Sequence, residues 1–444
     1  MSKAFGKTAL GDARGIVVSA PSSGSGKTIV TLGLLRALAD RGQSVVSAKV
    51  GPDYIDPRFH EASSGRVCFN LDGWAMRPGL MRALVETATE GAELAVVEGV
   101  MGRFDGSESG QGSTADVAAT LGLPVIFVLD VRTQGQSAAA VIKGFATFRD
   151  DCRIGGVILN RIGSPRHADM IRHVVEDMGV PVVGAVPNMP SLDVPSRHLG
   201  LVQAAEHPDL EAFLRQAAKL VEGAVDLERL VDLAAPFAIA GEPAGPIPPL
   251  GQRIAVGLDR AFGFTYPHLL DAWRRAGAEI VPFSPLADEA PDESADAVFL
   301  PGGYPELHAG LLSGNHAFKD GMRAAADRGA LVYGECGGFM VLGEAVIDAD
   351  GERHDMVGLL PLGTSFARRK LHLGYRYLRH DGALPLPQGL RGHEFHYSTV
   401  EWQGEGDALF TARDSAGRDI GATGLRRGSV MGSYAHIIDI EAAS

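Results

Sequence analysis

Two short stretches carry residue types suited to covalent and phosphoryl chemistry. The first, Tyr333-Gly334-Glu335-Cys336-Gly337-Gly338-Phe339, sets one of only three cysteines among glycines. An apolar run (330–335) precedes Cys336 and a helix-compatible run follows it. Glycine after the cysteine lets the chain turn sharply, so the thiol stands out at a strand-to-helix elbow, as a nucleophile must. The helix N-terminus that follows is expected to favour the thiolate. The second stretch, Ala20-Pro21-Ser22-Ser23-Gly24-Ser25-Gly26-Lys27-Thr28, lies between a Val/Ile-rich run and the helix-compatible segment 27–41. It follows the pattern G-x-x-x-x-G-K-[ST] except at Pro21, where the pattern has its first glycine. Ser23, Gly24, Ser25 and Gly26 would wrap backbone N–H groups around the phosphates of a nucleotide. Lys27 would neutralise the outer phosphates and the Thr28 hydroxyl would hold Mg²⁺.

A thiol nucleophile needs a base and an oxyanion hole. Backbone N–H groups at Gly302 and Gly303, in "FLPGGYPE", can form the hole. The base must be a histidine remote in sequence, from among His268, His308, His316, His354, His372, His393, His396 and His436. His436 in "GSYAHIID" and the pair His393 and His396 in "RGHEFHYS" are the leading choices. The pair could also be read as metal ligands, but without a close third ligand that reading is weak. Cys68 and Cys152 lack the glycine setting and are expected to be inert. Carboxylates for a metal should come from strand ends. "KVGPDYIDP" offers Asp53 and Asp56, "VVEGVMGRFDG" offers Glu98 and Asp105, and "VLDV" offers Asp130. Glu98 sits where a Walker-B acid would, which points to Mg²⁺. The competing role for each is an N-cap or a solvated loop acid.

The elements that must position these residues follow one rhythm. Apolar runs at 15–21, 44–50, 94–100, 123–130, 155–160 and 181–187 alternate with helix-compatible segments at 27–41, 78–91, 134–149 and 165–179. Runs that are apolar on both faces are buried parallel strands, and their alternation with helices predicts an α/β sheet covered by helices. The stretch 234–252 is crowded with Pro, Gly and Ala and reads as a linker. Strand-like runs resume at 253–259, 278–285, 296–303 and 330–335. A chain of 444 residues agrees with two domains of this kind. The expected division is an ATP-binding P-loop domain at 1–233, the linker at 234–252 and a second α/β domain at 253–444. A net charge of −13, with no basic cluster beyond Arg368-Arg369-Lys370, argues against nucleic acid or a membrane as partner. Scattered cysteines and an N-terminus with no apolar core predict a reducing cytoplasm.

Taken in order, "APSSGSGKT", "KVGPDYIDP", "VVEGVMGRFDG", "FLPGGYPE", "YGECGGFMVLG", "GHEFHYS" and "GSYAH" resemble the cobyrinic/hydrogenobyrinic acid a,c-diamide synthases, glutamine-dependent amidases of cobalamin biosynthesis. The first part also resembles dethiobiotin synthetase, and the second resembles class I glutamine amidotransferases. The resemblance implies that Cys336 attacks the glutamine amide with His436 as base. It implies that ATP and Mg²⁺ activate the a and c acetate carboxylates of a corrinoid as acyl phosphates, which ammonia then displaces. Lys27 and Thr28 would bind ATP and metal, Glu98 the metal, and Asn160 the adenine. Asp53, Tyr54, Asp56 and Asp105 would line the substrate and phosphoryl site. Class I enzymes often carry a carboxylate two residues after the histidine; here that position is Ile438, so a Cys-His pair is expected, with Asp439 a poor substitute. Pro21 and Ser196 depart from the pattern. The ring carboxylates would meet basic residues among Arg58, Arg103, Arg161, Arg197 and Arg368. ATP, glutamine and the corrinoid are the implied partners, with a homodimer as the assembly. The neighbouring reading is a cobyric acid synthase acting on other side chains of the same ring. The reading of another class is a ParA/MinD-like partitioning ATPase.

Overall fold

The computed structural model describes residues 12–189, 192, 196–197, 200–245 and 247–442. The N-terminal stretch and the side chains of Ser196 and Arg197 lie outside the described residues. The chain divides into two compact units. One runs through Trp74 and takes in Pro78–Gly106 and Gly110–Ala244; the other takes in Ala75–Arg77, Ser107–Ser109 and the chain from Gly245.

In the first unit the apolar runs become strands β1 (Arg14–Ser19), β2 (Val45–Val50), β3 (Phe69–Leu71), β4 (Leu94–Glu98), β5 (Val125–Asp130), β6 (Ile154–Ile162) and β7 (Val182–Pro187). They pair in the order β3-β2-β4-β1-β5-β6-β7, all parallel. Ile16, Val17 and Val18 in β1 are fully buried, as a strand covered on both faces must be. The short strand β3 is the one the apolar-run reading overlooks. Part of the Pro/Gly-rich stretch is tied to this unit, because Ala235–Pro236 pairs antiparallel with β1.

Helix α1 (Lys27–Asp40) follows β1 directly, and Gly24 and Gly26 take left-handed φ of 76° and 87° in the loop between them. Those two positions need glycine. Position 21 is not left-handed, so proline is admissible where the phosphate-loop pattern has glycine. Helix α2 (Asp56–Ser64) follows β2 by a similar short turn.

The second unit is built on a six-stranded sheet. Its order is Glu279–Phe283, Arg253–Gly257, Ala297–Leu300, Leu331–Glu335, Val430–Ser433 and Leu425–Arg427, parallel except for the last pair. Residues 345–440 add antiparallel strands that a simple β/α alternation does not anticipate. Five of these form one sheet: Asp419–Thr423, Phe410–Asp414, His372–Arg379, Gly389–His396 and Ala435–Ile440. Three of them, His372–Arg379, Phe410–Asp414 and Asp419–Thr423, have half-exposed, charge-bearing faces that hide the apolar run marking a buried strand.

Helix α1 is held close to helix Leu210–Glu222 through Gly33. A Cβ built at Gly33 lies 2.5 Å from both the Ala217 carbonyl oxygen and Val221 Cγ2. Gly33→Ala should force these helices apart and cost about 1–3 kcal/mol. The expected readout is a lower urea midpoint for the first unit, followed by fluorescence with ATP present and absent.

Candidate active sites

The first site gathers where β1, β2 and β4 end. Thr28, at the start of α1, places Oγ1 2.8 Å from Glu98 Oε1 and 3.4 Å from Asp56 Oδ2. Lys27 Nζ donates to the carbonyls of Met101 (2.6 Å) and Ser22 (3.3 Å). Asn160 Nδ2 donates to the Ser25 carbonyl at 2.8 Å, so the residue expected to meet the base stands against the loop itself. Arg161 donates to the Gly24 carbonyl at 2.7 Å and to Asp130 at 2.8 Å.

Two residues not singled out in the sequence complete this centre. Lys49, in β2, sets Nζ 2.6 Å from Asp56 Oδ2 and 3.0 Å from Glu98 Oε1. His60, on α2, sets Nε2 2.6 Å from Glu98 Oε2 and Nδ1 3.5 Å from Cys68 Sγ. Lys49, Asp56, His60 and Glu98 are all buried. Lys49 opens the "KVGPDYIDP" motif, so its position was visible but its side chain was read as part of a strand. His60 had no signal, because only helix α2 brings it back to Glu98.

Burial opposes charge on Glu98, but Lys49 and His60 outweigh it and hold the carboxylate well below its usual range. Burial likewise opposes charge on His60; Cys68 and Glu98 overcome it and raise the imidazole to about 10. Burial and the neighbouring Asp53 raise Asp56 to about 6, against the pull of Lys49. Burial lowers Lys27 to about 8 despite Glu98. Cys68 is buried beside this network, with Sγ next to His60 Nδ1. Asp53 Oδ1 accepts from the N–H groups of Ile55 (2.8 Å) and Asp56 (3.0 Å), fixing the turn into α2. Asn70 Nδ2 holds the same loop by the carbonyls of Gly51 (2.8 Å) and Asp53 (2.7 Å), and Tyr54 is buried within it. Asp105 Oδ2 accepts from Gly102 N–H at 2.9 Å and shapes the loop after β4.

Among the arginines considered for ring carboxylates, Arg103 is unsuitable. It is fully buried and donates to the carbonyls of Cys152 (2.5 Å) and Phe145 (3.3 Å). Arg58 pairs with Glu61 at 2.8 Å.

The second site sits at the end of strand Leu331–Glu335. Cys336 has φ 46° and ψ −103°, a strained conformation for a residue with a Cβ, and helix Gly337–Leu342 begins beside it. Cys336 N–H donates to Ser433 (2.8 Å) and Gly338 N–H to Pro301 (3.0 Å), which pins the elbow between its two neighbouring strands. Gly302 touches both partners expected of it. A Cβ built there would collide with the His436 ring and lie 3.3 Å from Cys336 Cβ. The Gly302 carbonyl accepts from Phe264 N–H at 2.9 Å, and Gly303 N lies 3.1 Å from where a Cβ on Gly337 would be. Gly302, Gly303, Cys336 and His436 therefore converge.

Three of the other histidines are engaged. His268 Nε2 meets the Ile438 carbonyl at 2.9 Å, and His354 pairs with Asp348 at 2.8 Å. His396 lies 2.9 Å from Glu394, whose other oxygen takes Arg376 at 2.7 Å, and His372 joins these two in a group close enough to hold a metal ion. His393 pairs directly across from His436 on adjacent strands. Asp439 is buried and held by Arg77, within the same unit, at 2.8–3.1 Å.

The expected thiolate is not the resting form. Burial, with Glu306, Glu394 and Glu335 adding to it, pushes the Cys336 thiol far up, against the hydrogen bond from Gly337 N–H. Burial with His393 and His396 pushes His436 down to about 3. The resting pair is neutral thiol and neutral imidazole.

Residues 16–202 match the CobQ/CobB/MinD/ParA nucleotide binding domain, and residues 253–442 match the CobB/CobQ-like glutamine amidotransferase domain. A hydrogenobyrinate a,c-diamide synthase of Brucella suis biovar 1 is 55% identical, with 96% of this chain and 98% of that protein aligned. Its namesake in Rhizobium meliloti is 54% identical over 96% of this chain and 99% of its own, and that of Mesorhizobium japonicum is 53% identical over 96% and 98%.

Two outcomes follow from the geometry. Gly302→Ala drives a methyl into His436 and should cut glutamine-dependent turnover about 100-fold, while turnover supplied with ammonium salt persists. Lys27 carries its charge below about pH 8 and loses it above. ATP affinity measured by calorimetry should therefore weaken between about pH 7 and pH 9, and Lys27→Met should bind weakly at both.

Proposed function

This chain belongs to the hydrogenobyrinate a,c-diamide synthase family, and we propose that it converts the a and c acetate carboxylates of hydrogenobyrinate to amides. It is an amidating ligase with glutamine as nitrogen source. ATP-dependent amide synthesis is assigned to residues 1–233 and glutamine hydrolysis to 253–444, with 234–252 joining them. The single observation that carries the reading is the convergence of Cys336, His436 and the Gly302-Gly303 turn at one strand end, in a chain that also bears a phosphate loop.

At the second site Cys336 Sγ adds to the side-chain carbonyl of glutamine, and His436 takes the thiol proton and passes it to the departing nitrogen. Ammonia leaves, and water cleaves the glutamyl thioester to glutamate. Backbone N–H groups of the Gly302-Gly303 turn face the developing oxyanion.

At the first site the backbone of Ser23–Gly26 and the Lys27 ammonium hold the ATP phosphates. The γ-phosphoryl group passes to a ring carboxylate oxygen, giving ADP and an acyl phosphate. Ammonia attacks that carbonyl and phosphate leaves. Asp53, Tyr54, Asp56 and Asp105 shape the loops around the reacting carboxylate, and Asn160 lies beside the phosphate loop.

The oxygen set suits a hard cation. Thr28 Oγ1, Glu98 and Asp56 stand together, and Asp56 Oδ1 is buried with no partner among the described residues. Thr28 and Glu98, with Asp56 beside them, would hold Mg²⁺, which when bound offsets the charge on the phosphate oxygens. The Lys49 ammonium keeps the two carboxylates together.

We place the enzyme in the cytoplasm as a homodimer acting on small molecules, with neither nucleic acid nor membrane as partner. Among the described residues no helix is long and apolar enough to cross a membrane. A partitioning ATPase would have no use for a Cys-His centre, and the length of the match to relatives named for the a,c reaction favours it over the cobyric acid reaction.

Mass spectrometry of the ring after incubation with ATP, Mg²⁺ and glutamine tests the proposal. Wild type should convert two carboxylates of hydrogenobyrinate to amides. Cys336→Ala should do so only with ammonium salt. Glutamine hydrolysis with an unchanged ring, whether metal-free or cobalt-bearing, would refute the substrate.

A further inference from the structure

We propose that Glu335 is the positioning carboxylate for His436, so that the acid of a Cys336–His436–Glu335 relay comes from the residue immediately before the nucleophile. This rests on the reading of Cys336 and His436 as nucleophile and base. The position two residues after the histidine is the buried apolar Ile438, and Asp439 is occupied by Arg77. Glu335 is the carboxylate that faces the ring, with Oε2 3.7 Å from His436 Nδ1. The opposite edge of the imidazole, Cε1 and Nε2, lies beside Gly302, which in turn lies beside Cys336 Cβ. Nδ1 therefore faces the acid, while Cε1 and Nε2 face the Gly302 turn that also borders Cys336, the polarity a relay requires.

Glu335 is itself held. Its Oε1 accepts from Ile437 N–H at 3.0 Å and from Tyr333 OH at 3.2 Å. Tyr333 is buried and stacks on Phe299 with ring centres 5.9 Å apart. One oxygen thus fixes the backbone next to the base, and the other is left toward the base. A gap of 3.7 Å is too long for a hydrogen bond in the resting state. It closes when His436 takes the thiol proton, because a buried imidazolium needs a counter-charge. The titratable groups around His436 are Cys336, Glu335, His393, His396 and Glu394. The two histidines repel a cation, and Glu394 is committed to Arg376 and His396. Burial raises Glu335 to about 8 against the hydrogen bonds from Ile437 N–H and Tyr333 OH, and an imidazolium at His436 would draw it back toward the carboxylate.

The test compares Glu335→Gln with Glu335→Asp. Glutamine at 335 is isosteric and keeps an oxygen for Ile437 N–H and Tyr333 OH, but its amide nitrogen donates to Nδ1 and selects the wrong tautomer. Glu335→Gln should lower kcat for glutamine hydrolysis about 100-fold or more, with KM changed less than about threefold. Glu335→Asp retains the charge and should keep a larger kcat than Glu335→Gln. If Glu335 only braces the fold, the order reverses: the isosteric glutamine is near wild type and the shorter aspartate is worse. That order, or a Glu335→Gln kcat within about threefold of wild type, overturns the proposal. Thermal unfolding of each variant and amidation driven by ammonium salt establish that the chain is folded. Cys336→Ala, run in parallel, separates the two readings: if it still hydrolyses glutamine, the nucleophile is misassigned and the relay falls with it.

Discussion

Parallel pairing is the constraint on which both sites depend. Strands that run the same way end at the same edge of a sheet, and the loops that follow collect there. In the first unit, β1, β2 and β4 bring the phosphate loop, the Asp53–Asp56 turn and Glu98 to one edge. In the second, Ala297–Leu300 and Leu331–Glu335 are neighbours, so the Gly302-Gly303 turn and Cys336 emerge side by side. The chemistry differs, but each site is a consequence of strand direction followed by a glycine-rich turn.

Buried charge separates the two centres. The first is full of ions: Lys49 lies within 3.0 Å of two carboxylates, and His60 braces Glu98 from the other side at 2.6 Å. Removing one partner of such a group strands the others, so substitution there is costly in a way that exceeds any single contact. The second keeps its two reacting groups uncharged at rest, although Glu394 and Arg376 lie close by. Cys336 and His436 are neutral, and the strained backbone at Cys336 is retained by hydrogen bonds to the strands on either side.

Most of what carries these sites could be read in the chain. Glycine at 24 and 26 marks left-handed backbone, and Cys336 between glycines marks an elbow, because local conformation leaves a local residue signature. The Val/Ile runs likewise betrayed the parallel sheets. What escaped is what depends on three-dimensional return of the chain. His60 reaches Glu98 only because α2 packs beside β2, and Glu335 reaches His436 across 101 positions through a pair of adjacent parallel strands. Lys49 read as one more residue of a buried strand. Half-exposed faces hide the antiparallel strands of 345–440, and the burial of Arg103 leaves no mark in its sequence neighbourhood.

The neutral resting state of Cys336 bears on its durability. Peroxide and electrophiles consume the thiolate, so a cysteine exposed as a permanent anion is on the first rung of the oxidation ladder whenever the enzyme idles. Burial pushes the Cys336 thiol far up, which leaves little anion for such reagents while the site is empty. A nucleophile that gives its proton to His436 only once an amide stands at the elbow would be selective in time as well as in substrate, and spared between turnovers.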